Sequence, residues 1–185
     1  CLSMFSCCRL HHTNKERWTN KQIVQRSCGK FRREWETSSM KEKSYTPENY
    51  PILRYGDVLL MLAEAENEAH QGPTDLAYEC INEIRQRAGI SKLEGLSYTD
   101  FQQAVRDERA RELCFESLRK YDLVRWGIYV EAVHDKLGAA TQDKRWATGN
   151  QFIGARDYAA RTQEKHQFLP IPTKELDVNG KLEQK

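Results

Sequence analysis

The 185-residue chain has no long hydrophobic run. Its longest strongly apolar segment, Val58–Ala63, falls far short of the ~20 residues that a membrane-spanning helix needs. No basic stretch followed by an apolar one stands at the N-terminus, so no signal peptide is read there. Charge of one sign is missing too. The 29 basic residues nearly balance the 27 acidic ones, and a net charge of +2 gives no field with which to hold nucleic acid. The six cysteines, Cys1, Cys7, Cys8, Cys28, Cys80 and Cys114, contain no C-x2-C pair and no evenly spaced framework. Cys7-Cys8 lies near His11-His12, but adjacent ligands wrap one ion poorly and no second pair follows at zinc-finger spacing, so no metal is expected. Cys80 and Cys114 fall in predicted helices and are read as small core residues. No Gly-rich phosphate loop follows a strand, and no Ser, His and Asp constellation stands out. His70 sits at a helix end, and His134 and His166 are isolated, so each is read as a surface or capping side chain.

Hydrophobic residues make up 39% and charged residues 30%, with a mean hydropathy of -0.80. That describes a soluble, polar chain with apolar content enough for one core, either a single domain or part of a larger one. Residues 1–27 show no sustained period and are expected to form a poorly organised segment before a domain spanning 28–185. The pattern from Asn49 onward predicts a mainly α fold. A first helix is predicted from about Ile52 to His70, apolar nearly all round. At about 100° per residue its main apolar face holds Tyr55, Val58, Leu59, Leu62, Ala65 and Ala69, with Leu60 and Met61 outside it. Glu66 falls within that face and should have a partner. Gly72-Pro73 ends the helix. A second helix, capped by Thr74 or Asp75 and running to about Ala88, repeats Ala77, Cys80, Ile81 and Ile84. The short connection makes the two an antiparallel hairpin of tetratricopeptide length, with small residues at Ala65, Gly72 and Ala77. One such unit cannot bury both its faces, so neighbours are implied.

A third helix is predicted from a Thr99 cap to about Leu118, extending to Trp126 if the phase persists. Phe101, Ala104, Val105 and Phe115 share one face with Glu108 and Glu112, and Arg119, Asp122, Leu123 and Trp126 would join it. Beyond Gly127 the signal weakens. Val130–Leu137 reads as a short helix, Gly138–Gln167 as loop, Phe168-Leu-Pro-Ile-Pro172 as an extended apolar piece, and Thr173–Leu176 as a helical turn.

Several of these segments carry a family resemblance. They are Cys28-Gly-Lys-Phe-Arg-Arg-Glu-Trp-Glu36, Arg54-Tyr-Gly-Asp-Val-Leu-Leu-Met-Leu-Ala-Glu-Ala-Glu-Asn-Glu68 and Ile81-Asn-Glu-Ile-Arg-Gln-Arg-Ala-Gly89. The others are Arg106-Asp-Glu-Arg-Ala-Arg-Glu-Leu-Cys-Phe-Glu116, Arg119-Lys-Tyr-Asp-Leu-Val-Arg-Trp-Gly127 and Phe168-Leu-Pro-Ile-Pro-Thr-Lys-Glu-Leu-Asp177. In this order the chain resembles the C-terminal half of the SusD/RagB family of outer-membrane nutrient-binding lipoproteins. The resemblance implies tetratricopeptide-like hairpins with a long irregular C-terminal region, no catalysis and no cofactor. It implies a place on the cell surface as a lid on a SusC-like TonB-dependent transporter, capturing a glycan or peptide. Membrane contact would run only through a lipid anchor that belongs to the absent N-terminal half. Cys1 is not taken as the lipidated residue, because by Cys28 the chain is already in the family's second half.

Glu108 and Glu112 are the strongest candidates for chemistry. Paired carboxylates one helical turn apart approach the separation found in retaining glycosidases. Those acids must flank a scissile bond from opposite sides, however, and here they share one face with arginines close by in sequence. The preferred reading is a structural ion-pair network of Glu66, Glu108, Glu112, Arg119 and Asp122. Ligand contacts, if carried by this chain, are placed on aromatics with planar polar neighbours: Trp35, Trp146 with Asn150, and Tyr158 with Arg156. Two rival functions remain: a helical-repeat interaction scaffold without a small ligand, and a glycoside hydrolase using Glu108 and Glu112.

Overall fold

The computed structural model describes residues 49–137 and 153–183, together with Lys30, Glu36 and Thr46. Trp35, Trp146 and Asn150, as well as the expectation for residues 1–27, lie outside the described residues. Among the described residues every regular element is helical. The contacts divide the described residues into two units, the first holding those up to Arg119 and the second those from Lys120 onward.

The first unit holds α1 (Tyr55–His70), α2 (Asp75–Arg87) and α3 (Tyr98–Glu112). Arg54, extended at φ -137° and ψ 161°, is the residue from which α1 starts. The helix ends on Gln71, whose left-handed φ of 51° does what the sequence assigned to Gly72. Thr74 caps α2: its hydroxyl oxygen accepts from the Ala77 amide at 3.2 Å and donates to the Glu66 carboxylate at 2.8 Å. One side chain thus starts α2 and ties it to α1. Gly89 closes α2 at φ 70°, with Gly89 N–H on the Gln86 carbonyl and Ile90 N–H on that of Arg85, the paired bonds of a Schellman turn. Ser97, not Thr99, caps α3, its oxygen accepting from the Asp100 amide at 3.2 Å.

α1 packs on both α2 and α3. Leu60 and Ala63 of α1 meet Ala77, Cys80, Ile81 and Ile84 of α2 and Phe101 and Val105 of α3. Tyr78 lies edge-on to Phe101, with centroids 5.1 Å apart. The buried stripe of α1 is Gly56, Asp57, Leu59, Leu60, Ala63 and Asn67. It differs from the face drawn from hydrophobicity. Leu60, placed outside that face, is 0% exposed, whereas Tyr55 is 65% exposed and Val58 and Leu62 also lie open. Two apolar stripes run along this helix, and hydrophobicity alone does not rank them. The polar members decide. Asp57 pairs with Arg109, and the Asn67 amide donates to the Tyr98 carbonyl at 3.2 Å, both toward α3.

α3 stops at Glu112 rather than continuing to Leu118. Phe115 and Ser117 take left-handed φ values of 65° and 61°, so the segment turns, and Phe115, expected on the buried face, is 52% exposed. The last carbonyl of α3, that of Glu112, accepts from Arg54 Nη2 at 2.5 Å and Lys30 Nζ at 2.6 Å. Two cations thereby satisfy a helix end that would otherwise bond to a continuing turn.

The second unit contains α4 (Arg119–Arg125, its first residue belonging to the first unit), then α5 (Tyr129–Glu131), which continues as a π-helix over Ala132–Leu137. α6 (Ile153–Arg161), a 3-10 turn (Glu164–Gln167) and α7 (Thr173–Val178) follow. Gly127, at φ 69°, ends α4 as Gly89 ends α2. Leu123, Tyr129, Val133 and Ala159 form the core of this unit. The Tyr129 and Tyr158 hydroxyls bond to each other, and His134 Nε2 lies 2.8 Å from the Thr162 carbonyl. α6 corrects the loop expected through Gln167. It is short and carries little apolar periodicity, and these tertiary contacts hold it.

Gly56 sits where the chain allows nothing larger. A Cβ there would lie 3.0 Å from Arg54 Nη1 and 3.1 Å from Glu112 Oε1, atoms pinned by their own ion pairs. Alanine at an open helical site gains about 1 kcal/mol over glycine. Gly56→Ala is expected instead to destabilise by roughly 1–3 kcal/mol through overpacking, measured as a lower urea midpoint; an increase would contradict the close approach.

Candidate functional site

Glu108, Glu112 and Glu116 recur every four residues along α3 and the turn after it, and each is met by cations from other elements. Arg85 of α2 reaches Glu108 at 2.8 Å, and Arg111 reaches the same carboxylate from within α3 at 3.2 Å. Glu112 takes Arg87 of α2 at 2.5 Å on one oxygen and Arg54 at 2.5 Å on the other. Glu116 receives Arg54 Nε at 2.7 Å and the Lys30 ammonium. Deeper in the unit, Arg109 lies 2.8 Å from Asp57, with both side chains buried. The approach is short but poorly aligned as a hydrogen bond, so it acts as an ion pair.

This arrangement fixes protonation. Burial alone would raise the pKa of Glu112, but hydrogen bonds from Arg87 and Arg54 outweigh it and hold the carboxyl below its ordinary range. Burial opposes Glu116 in the same way, and Arg54 with Lys30 wins. Arg54 also feels burial against it, yet its two carboxylates keep it charged more firmly than usual. A glycosidase acid needs the reverse, a carboxyl held protonated near neutral pH. Glu108 is 3% exposed and is covered by its own ion pairs with Arg85 and Arg111.

The network named from sequence is partly regrouped. Glu66 is met by the Thr74 hydroxyl and by His70 at 3.5 Å rather than by an arginine. Arg119 donates to the Arg106 carbonyl at 3.1 Å. Asp122 is buried in the second unit beside Arg125 at 3.0 Å. The structure adds Arg54, Asp57, Arg85, Arg87, Arg109 and Glu116. The i, i+4 carboxylate spacing signalled the row; apart from Arg111, its partners come from distant parts of the chain, which no local pattern specifies.

Of the ligand candidates within the described residues, Arg156 and Tyr158 both lie exposed on α6. They are two positions apart and so point to different sides of that helix. The Tyr158 ring is half-open while its hydroxyl is held by Tyr129, whose own pKa rises to about 12 through burial and that bond. An open cleft of about 570 Å³ also lies between α2 and residues 92–95 in the first unit, lined by Asp75, Tyr78, Glu79, Asn82, Glu83 and Lys92 among others. The Asn82 amide pins the Leu93 backbone through both its atoms, at 3.0 and 2.8 Å. Sequence reasoning passed over this cleft because it forms between a helix and residues 92–95, and no local pattern brings the two together. Among the described residues no helix is long and apolar enough to cross a membrane.

Lowered carboxyl pKa values make a pH prediction. Glu112 and Glu116 stabilise the fold above their ordinary value of 4.5, and that stabilisation drains as pH falls through their lowered folded values. The urea midpoint should therefore decline as the pH falls below about 5, and Glu112→Gln with Glu116→Gln should flatten the decline while costing roughly 2–4 kcal/mol at pH 7. An equally steep decline in the double variant would contradict the assignment.

The sequence pattern of the SusD family matches residues 11–185. A SusD-like protein of Formosa agariphila is 40% identical over 139 residues, which is 73% of this chain and 23% of that protein. A second SusD-like protein of the same organism is 32% identical over 142 residues, covering 72% of this chain and 25% of its own length. The crystal structure of a SusD homolog from Bacteroides thetaiotaomicron superposes with a TM-score of 0.66 at 36% identity, over 80% of this chain and 29% of that one. A SusD superfamily protein from Bacteroides vulgatus gives 0.55 at 32% identity, over 75% and 27%. The chain thus spans about a quarter of the length of the curated relatives it matches.

Proposed function

The chain belongs to the SusD family, and we propose that it is part of a non-catalytic protein that captures a nutrient, glycan or peptide, at the outer-membrane surface for a SusC-like TonB-dependent transporter. The observation that carries this reading is the family match over residues 11–185. The charge pattern supports the non-catalytic part, because Glu108 and Glu112 are committed to Arg85, Arg111, Arg54 and Arg87. In this reading the protein is held at the membrane by a lipid anchor and needs no cofactor.

Ligand contact is proposed for Tyr158 and Arg156 on α6 and for Trp35, Trp146 and Asn150, which lie outside the described residues. Tyr158 suits this role physically. Its hydroxyl is anchored, so a half-open aromatic face is held still for the apolar face of a sugar or for a peptide side chain.

Affinity gel electrophoresis of the full-length polypeptide against a panel of soluble polysaccharides, with calorimetry against peptide mixtures, tests the proposal. Binding without turnover is expected, and Tyr158→Ala should weaken it roughly tenfold, the loss of about 1.4 kcal/mol. Retention by every panel member of free mobility, with no heat from any peptide, would overturn the binding reading. Glycan cleavage abolished by Glu108→Gln would establish the hydrolase instead.

A further inference from the structure

Helix α6 has little of its own to hold it in place. Its nine residues fall short of the ~12–15 that a helix needs to persist alone in water. The side that it buries carries Ala159 and Thr162, with Ala155 half-covered, and an alanine methyl removes little apolar surface from water. Polar bonds do the rest. The Tyr158 hydroxyl bonds to that of Tyr129, which is 2% exposed and has the Lys120 ammonium 5.3 Å from its ring centre. One turn further on, the Thr162 amide and hydroxyl both donate to the Tyr158 carbonyl, at 3.1 and 2.7 Å. The Thr162 carbonyl, at the end of α6 where no further turn can bond to it, lies 2.8 Å from His134 Nε2. A carbonyl only accepts, so Nε2 carries the proton and donates it. These bonds close a circuit from Tyr129 to Tyr158, on to Thr162 and back to His134. Both of its ends stand on α5 and the π-helix that continues it, five residues apart. The wider π turn serves α6 with two consecutive side chains: Val133 joins the core that includes Ala159, and His134 reaches the carbonyl.

We propose that His134 and Thr162 are positioning residues that hold the Tyr158 ring in the orientation in which it meets a ligand, an inference that rests on the ligand role given to Tyr158 above. Held at the hydroxyl alone, the ring would still swing with the backbone of a short helix. His134 removes that freedom by capping the C-terminal end of α6. The Thr162 hydroxyl then carries the constraint to the Tyr158 carbonyl. The half-open ring is thereby fixed both at its tip and at its main chain before any ligand arrives, which lowers the ordering cost of binding. Thr162, at 4% exposed, lies too deep to touch a ligand itself and acts through Tyr158.

Two measurements on the full-length polypeptide test this. One is amide hydrogen exchange read by mass spectrometry; the other is the fluorine NMR signal of 3-fluorotyrosine placed at position 158 alone. His134→Phe keeps a ring and removes the donor, His134→Gln returns an N–H at a similar reach, and Thr162→Val removes the hydroxyl at nearly constant shape. His134→Phe and Thr162→Val should each speed exchange over residues 153–162 by about tenfold or more and leave α1, α2 and α3 within about twofold. Each should also move the fluorine signal toward that of a free fluorotyrosine. His134→Gln should restore both readings. Unchanged exchange and an unmoved signal in His134→Phe would overturn the proposal. So would a His134→Gln variant as loose as His134→Phe, since the donated hydrogen bond would then not be what matters. Faster exchange spread equally over α1, α2 and α3 would also contradict it, because the effect would be global. No ligand enters either measurement, so failure of the circuit is told apart from failure of the ligand role, which shows as unchanged retardation of Tyr158→Ala in the polysaccharide gels.

Discussion

A buried charge without a partner costs several kcal/mol, and the first unit places Asp57, Glu108 and Arg109 among its best-packed side chains. Each helix of that unit is therefore bound to the next by more than apolar contact. Asp57 on α1 requires Arg109 on α3, and Glu108 on α3 requires Arg85 on α2. Leu60, Ile81 and Phe101 supply most of the burial, but apolar surfaces slide with little penalty. Charge pairs do not, because a one-residue slip of α3 would leave both carboxylate and guanidinium groups stranded in the core. The pairing fixes rotation and register, and the apolar core then packs around it.

The same economy explains why the segment looks like chemistry. A row of carboxylates four residues apart, surrounded by arginines, is what an active site and a structural lock have in common. They differ in what the cations do. Here each acid is neutralised by cations from other elements, and the carbonyl at the end of α3 is claimed by Arg54 and Lys30. Helix α3 consequently stops where its charges are satisfied, and the chain passes through the left-handed residues Phe115 and Ser117 before α4. The geometry gives these charges one role: each carboxylate is committed to a cation, and the row serves the architecture of the first unit.

Much of the fold was legible in the sequence because its signals are local. Thr74 marks the start of α2 through its side-chain cap and Gly89 its stop through a left-handed backbone, and Ala77, Cys80, Ile81 and Ile84 gave the buried side of α2 correctly. Three features were not legible. α1 carries two apolar stripes, and only the long-range partners of Asp57 and Asn67 decide which faces the core. The break after Glu112 depends on Arg54 and Lys30, 58 and 82 residues away in the chain. α6 rests on Tyr129 and His134 rather than on a period of its own. The candidate ligand residues follow no repeat in the sequence, and the two within the described residues, Arg156 and Tyr158, stand on α6 where a loop was expected.

If paired buried charge sets the register of the first unit, a double-mutant cycle on Asp57 and Arg109 measures it most directly. Asp57→Leu and Arg109→Met should each destabilise the protein by about 3 kcal/mol or more, because each strands the other charge. The double variant should be less destabilised than the sum of the two single ones, with a coupling of about 2 kcal/mol or greater. Additive losses, with a coupling under about 0.5 kcal/mol, would mean that the apolar core alone holds these helices in place.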